Sequence, residues 1–232
     1  MSYSPQGRNP FQGGLESEAL EALTPLMRYR NVYPAEDPRR SVVYHVDCRH
    51  GDDGYDGLTW DSPVETIARA IALNNATIDW AKTPKHYNSI LIRPGKYPEN
   101  LESLPYYCSL IGAGGVGQEM AKINPADGSV VTGNPNMVGC HLANLNFEVN
   151  EAVPILDIGD CNSNLIEDCL FTVGADVVPT SGIDTEDCTY LILKRNRFLS
   201  GRDSPYAIGI AINHATRAHA CLYYDNFIAA TI

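Results

Sequence analysis

The chain has 232 residues, enough for one sizeable core with an appendage, and its 28 acidic against 17 basic side chains give a formal net charge of −11. That surplus argues against wrapping nucleic acid or settling on an anionic membrane by bulk attraction. There is no apolar run approaching the roughly 18 residues of a membrane span, and no apolar segment follows Met1 to Arg8, so neither membrane insertion nor a signal peptide is expected.

Residues 1–40 read as an arm. Leu15, Ala19, Leu20 and Leu23 fall near one face at helical spacing ahead of Thr24 and Pro25, which predicts a short amphipathic helix. A helix so short is marginal alone, so its apolar edge is expected either to dock on another protein or to fold back on the rest of the chain.

Residues 41–232 read as one β domain. Val42 to Asp47 is strand-like and leads into the acidic turn Gly51 to Gly57, whose Asp52, Asp53 and Asp56 are candidate calcium ligands without EF-hand spacing. Ser62-Pro63-Val64-Glu65 has the form of a capping box and predicts a helix over about 62–74, with Val64, Ile67, Ala68 and Ile71 as its apolar stripe. Ser89 to Tyr97 and Cys108 to Gly112 follow as strands. Gly112 to Gly117 satisfies G-x-G-x-x-G, but Pro125 leaves only Gln118 to Asn124 for the helix a dinucleotide needs, so it reads as a turn and no cofactor is expected.

The second half repeats itself. Slid forward by 27 positions, Ile155 to Phe171 falls on Gly182 to Phe198, matching Leu156 with Ile183, Asp157 with Asp184, Asp160 with Asp187, Cys161 with Cys188 and Phe171 with Phe198. A third copy, Gly209 to Ile228, keeps that register at Ile210 and Ile212 and gains a few residues near Ala215 to Ala220; a partial earlier copy ends at Phe147. Short alternating apolar runs at a period in the twenties are the mark of a β-solenoid, in which residues one period apart stack. The expected inward ladders are Leu156/Ile183/Ile210 and Ile158/Thr185/Ile212. Cys161/Cys188 and Cys169/Asn196/Asn226 are expected at corners, and Phe171/Phe198/Ile228 as a stack. The seven cysteines, with no Cys-x-x-Cys, read as buried thiols rather than disulfides or a metal site.

Alternation throws Asp157 outward, with Asp184 above it. Two carboxylates one strand spacing apart should raise one pKa, as a general acid beside an ionised partner requires. Asp160 and Asp187 form a second such pair, so all four are candidate catalytic residues, or cation ligands, or an acidic face. The six histidines show no metal-ligand spacing, and His214 and His219 are expected in a loop of the third coil.

Tyr44-His-Val-Asp47, Gly51 to Pro63, Thr66-Ile67, Ala70-Ile71, Ile90-Leu-Ile-Arg-Pro-Gly-Lys-Tyr-Pro-Glu-Asn100 and Leu110 to Gly114 together resemble the opening of pectin-lyase-like right-handed parallel β-helix proteins. In character the chain is most similar to bacteriophage tail-spike and virion β-helix members. The resemblance implies an all-β fold, a right-handed single-stranded parallel β-helix with an N-terminal capping helix. It further implies a virion structural protein, a tail fibre, tail spike or capsid-decorating β-helix. Such a protein would be a homotrimer, made in the host cytoplasm and attached to other virion proteins through residues 1–40, for assembly and attachment to a host surface polysaccharide. Phe227 to Ile232 stops inside a coil, so a neighbouring chain or further polypeptide is expected to cover that end. The alternative is a polysaccharide lyase or glycoside hydrolase at the Asp157/Asp184 face. No family catalytic motif carries over residue by residue, since Ala211 stands where a third aspartate would continue that column.

Overall fold

The computed structural model describes residues 41–77, 87–114, 119–133, 135–174, 179–199 and 212–229; the arm residues Leu15, Ala19, Leu20 and Leu23, and Ile210 and Ala211, lie outside them. In chain order the elements are β1 (Val43–Val46), α1 (Ile67–Ala76), β2 (Asn88–Ile92), β3 (Gly95–Tyr97), β4 (Cys108–Gly112), β5 (Ala121–Ile123), β6 (Met137–Val138), β7 (His141–Ala143) and β8 (Leu145–Val149). There follow β9 (Leu156–Ile158), β10 (Cys161–Glu167), β11 (Leu170–Val173), β12 (Ile183–Lys194), β13 (Arg197–Leu199), β14 (Ile212–His219), β15 (Leu222–Tyr224) and β16 (Phe227–Ala229).

Every strand pairing is parallel, so the chain must travel once around before it pairs again. One sheet runs β1-β2-β4-β7-β10-β12-β14, with β6, β9 and β15 beside that path; the second runs β3-β5-β8-β11-β13-β16. The result is a parallel β-solenoid, with each coil from β2 onward contributing to both sheets and the core between them. Alternation sends Leu156, Ile158, Ile166, Phe171 and Phe147 inward, all at most 1% exposed. Phe147, Phe171 and Phe198 stack through the coils, with ring centroids 5.3 and 4.5 Å apart.

Two columns of left-handed residues make the corners. Gly139, Ser163, Tyr190 and Ala220 have φ between 52° and 62°, as do Asn144, Asp168, Arg195 and Asp225 between 53° and 57°. Each reverses the local pleat and turns the strand onto the next face, a conformation that costs a non-glycine residue about 1 kcal/mol or more. Buried asparagines just past these corners offset that cost. Asn164 Oδ1 accepts from the Cys140 N–H at 2.8 Å, and its Nδ2 donates to the Met137 carbonyl at 2.8 Å. Asn196 repeats the bond with the Cys169 N–H at 3.0 Å and the Ile166 carbonyl at 2.8 Å, and its own N–H donates to Asn226 Oδ1. The expected Cys169/Asn196/Asn226 ladder is therefore a chain of hydrogen bonds between coils. Cys161 and Cys188 also stack in register, though within strands rather than at corners, and all seven thiols are free.

Two expectations need correction. The helix begins at Ile67, capped by Thr66, whose hydroxyl accepts from the Arg69 N–H, and not at Ser62. Val64 is drawn into a parallel bridge with Val46, its N–H bonded to the His45 carbonyl, which keeps 62–65 out of the helix. The buried face is accordingly Ile67, Ala70, Ile71 and Asn74, packed against β1 and β2, while Ala68 is exposed. In the third coil Ile183 pairs with Ile212 and Thr185 with His214, so Ile210 does not follow Ile183, and Ile158/Thr185 is continued by His214 rather than Ile212. His214 and His219 thus belong to strand β14 and not to a loop.

Gly112 shows how closely successive coils approach. A Cβ there would collide with the Asn144 carbonyl of the next coil, which accounts for the first glycine of the Gly-rich run without a nucleotide.

Candidate functional site

The outward face of β9 and β12 brings Asp157 and Asp184 into register as neighbours, one strand spacing apart. Burial, then the nearby carboxylates of Asp184 and Glu186, push the Asp157 pKa above its ordinary value. Asp184 accepts a hydrogen bond from Asn213 Nδ2 at 2.8 Å, so the aspartate column passes into an asparagine in the third coil. The arrangement sets one carboxyl whose pKa is raised beside a second that accepts a hydrogen bond from Asn213. Asp187 is engaged differently: its Oδ2 pairs with Arg217 at 3.0 Å, and Asp160 is exposed at the neighbouring coil.

The acidic turn is used for folding. Asp53 accepts from the Glu65 and Thr66 N–H groups and the Thr66 hydroxyl, at 2.7–2.9 Å. Asp52 accepts from the Gly54 N–H, and Asp56 from the Leu58 N–H and Ser62 hydroxyl. The three carboxylates thus close separate turns, and no group of three or more potential metal ligands forms among the described residues. Beneath this turn the buried Asp47 binds Arg93 at 2.7 Å and His50 at 3.1 Å. Its burial works to raise its pKa, but these bonds and the Arg49 N–H outweigh it and bring it down.

A second polar constellation was not singled out in the sequence. On the outer side of the larger sheet, Ser109 Oγ lies 3.4 Å from His141 Nδ1, and His141 Nε2 lies 3.1 Å from Glu167 Oε1. Glu167 also meets Arg195 at 3.0 Å and Lys194 at 3.8 Å, and Arg195 closes on Asp168. The hydrogen bond to His141, with the charges of His141, Lys194 and Arg195, outweighs burial and pulls Glu167 from an ordinary 4.5 to about 2. Ser109, His141 and Glu167 have the order of a nucleophile, base and orienting acid. Ser109 is only 2% exposed, however, so its hydroxyl cannot meet a substrate, and the row acts as a clasp across coils. The 27-residue offset signals only the stacking of Glu167 on Lys194 and not the bond to His141.

A depressed carboxyl pKa stabilises the fold above its unfolded value and loses that contribution as pH falls towards the folded one. Glu167→Gln is therefore expected to cost stability at pH 7, with the gap to wild type narrowing below about pH 4.5 and closing near pH 2. Urea midpoints at pH 7, 4 and 2.5 measure it; a gap independent of pH would show that the carboxylate charge is not what holds the clasp.

Neither a protein-family model, nor a curated protein, nor a solved structure matches the chain. What the geometry establishes is architectural, a parallel β-solenoid compatible with the β-helix superfamily.

Proposed function

We propose that the chain is a structural β-helix of a bacteriophage particle. It would be a tail fibre, tail spike or capsid-decorating protein, homotrimeric, held to other virion proteins by residues 1–40 and serving assembly and host-surface attachment. The observation that supports this reading most directly is the unbroken stacking from β1 to β14, in which corner asparagines and outward ion pairs bond one coil to the next. Such stitching makes a stiff lateral surface, suited to bearing load and presenting contacts along its length. The phage setting rests on the likeness of the Tyr44 to Gly114 opening to pectin-lyase-like β-helices.

Purified particles probed with antibody and mass spectrometry test the reading. The chain should be present in them, should be lost when residues 1–40 are deleted, and should scatter light in solution as three copies. Its absence from particles, or a monomer at micromolar concentration, overturns it.

A second reading is favoured by one specific feature, the raised pKa of Asp157 beside Asp184. It makes this face a glycan-cleaving site, with Asp157 as acid and Asp184 as the second carboxyl beside it. The measurement is release of reducing ends or unsaturated products from acidic polysaccharides. Asp157→Asn and Asp184→Asn should each lower the rate by about 10²- to 10⁴-fold; no release by the intact chain removes the enzymatic reading.

A further inference from the structure

The outward column of the smaller sheet runs Lys96, Lys122, Asn146, Leu170, Arg197 in consecutive coils, each in register with the next. Beside it, towards the corner carrying Asp168 and Arg195, lies a groove of about 520 Å³ floored in part by Met120, Leu170 and Leu199. Most charges on the groove are already matched. Lys122 is held by Glu148 at 2.7 Å, Arg195 by Asp168 and Glu167, and Glu119 by Arg49 at 3.2 Å. Lys96 and Arg197 are exposed and have no ion-pair partner among the described residues. The groove therefore suits an elongated group with one apolar side and a surplus of negative charge.

The chain itself carries such a group. Leu15 to Leu23 holds three glutamates and no basic residue, with Leu15, Ala19 and Leu23 at i, i+4 and i+8 and Leu20 beside them. That is the spacing by which an amphipathic helix lays its apolar edge into a groove. Nine helical residues span about 13 Å at ~1.5 Å each. Lys96 and Arg197 stand four strand spacings apart, roughly 19 Å at ~4.8 Å per pair, and the long cationic and glutamate side chains close the difference.

We infer that Leu15 to Leu23 docks as a helix in the groove of its own chain, with its leucines on Met120, Leu170 and Leu199 and its glutamates towards Lys96 and Arg197. The connecting residues 24–40 are long enough. Extended, they reach roughly 56 Å at ~3.3 Å per residue, and they join β1, which pairs with the coil that carries Lys96. A tether of this kind sets an effective concentration of about a millimolar, above a micromolar supply of the same segment from other copies. The inference goes beyond the proposed function and does not need it. An arm held here withholds the same leucines from a virion partner until it is released. It is tested on purified chain, so failure here leaves the particle experiment standing, and the reverse.

The experiment is digestion of the full chain with thermolysin, which cuts ahead of accessible leucines, read by mass spectrometry as cuts from Leu15 to Leu23. A free peptide of residues 10–28 sets the unprotected rate. The intact chain should be cut at least about tenfold more slowly than the peptide, because cleavage follows the population of undocked arm. Lys96→Glu/Arg197→Glu, both at exposed positions and so expected to keep the wild-type urea midpoint, should remove most of that protection. Adding Glu16→Lys, Glu18→Lys and Glu21→Lys to the same chain should restore it. Arg69→Gln, which removes an exposed charge from the helix α1 instead, should leave the rate unchanged. In a mixture of ordinary and isotope-labelled protein, carbodiimide should couple Lys96 to one of the three glutamates of the same chain. Cutting at the peptide's rate, full protection in the double variant, no recovery on swapping the charges, or an equal loss in Arg69→Gln would each overturn the assignment. Coupling between labelled and unlabelled chains would overturn it too, by giving the groove to the arm of a second copy.

Discussion

Phe171→Ala is expected to lower the stability of the solenoid by about 3–5 kcal/mol. The ring is wholly buried and lies between Phe147 and Phe198, at 5.3 Å tilted and 4.5 Å stacked. Removing it deletes the central member of a three-coil column, and strands β8 and β13 cannot close the gap without breaking their parallel bonds to β11. To the lost transfer energy is added the loss of two aromatic contacts, each worth about 0.5–1.5 kcal/mol. Leu170→Ala, one residue away but facing the groove, should cost much less. Urea unfolding of both variants measures the difference. A loss under about 1 kcal/mol at Phe171 would mean that the coils relax independently and that the column carries no cooperative load.

Asn196→Ala is the second large effect, for a different reason. The side chain is inaccessible to solvent and satisfies one N–H and one carbonyl that belong to the preceding coil, those of Cys169 and Ile166. Alanine leaves the Cys169 N–H buried without its partner, at about 1–3 kcal/mol, and takes from the Ile166 carbonyl a bond worth about 0.5–1.5 kcal/mol beyond the one it keeps in the β10–β12 ladder, so a loss of about 2–4 kcal/mol is expected. Asn226→Ala in the next coil removes bonds of the same type, to the Asn196 N–H and the Leu193 carbonyl, but at a half-buried position where water can replace them, and should cost less. Equal losses at the two positions would show that burial does not decide the strength of the corner bond. The measurement is again the urea midpoint, with the slope checked for constancy.

The coil stacking was legible in the sequence because burial imposes it on every second residue. Leu156 over Ile183, Asp157 over Asp184 and Phe171 over Phe198 follow directly from the 27-residue offset. The third coil defeated the same reading for a definite reason. A shift of two residues preserves which side chains face inward, so Ile210 and Ile212 fit the pattern equally well, and only pairing distinguishes them. Of the three residues that the third coil gains, two enter before β14. The third is taken up where Thr185 and Asp187 face His214 and Arg217. The capping box misled because Ser-Pro-Val-Glu is a purely local signal, and the competing bridge between Val64 and Val46 is not. The Asp157/Asp184 neighbourhood was legible as stacking, but the His141 and Ser109 partners of Glu167 were not, since His141 sits diagonally across the sheet from Glu167, opposite Leu165.

The corner columns carry a consequence for how this molecule can vary. Five positions separate Gly139 from Asn144, Ser163 from Asp168, Tyr190 from Arg195 and Ala220 from Asp225, whereas the step from one coil to the next grows from 24 to 27 to 30. The short edge between two corners is thus a fixed gauge, and all slack collects on the remaining path from the second corner round to the next first one. Foreign peptides spliced after Leu199 should be accommodated, while a single residue added between Tyr190 and Arg195 should scramble every layer beyond it.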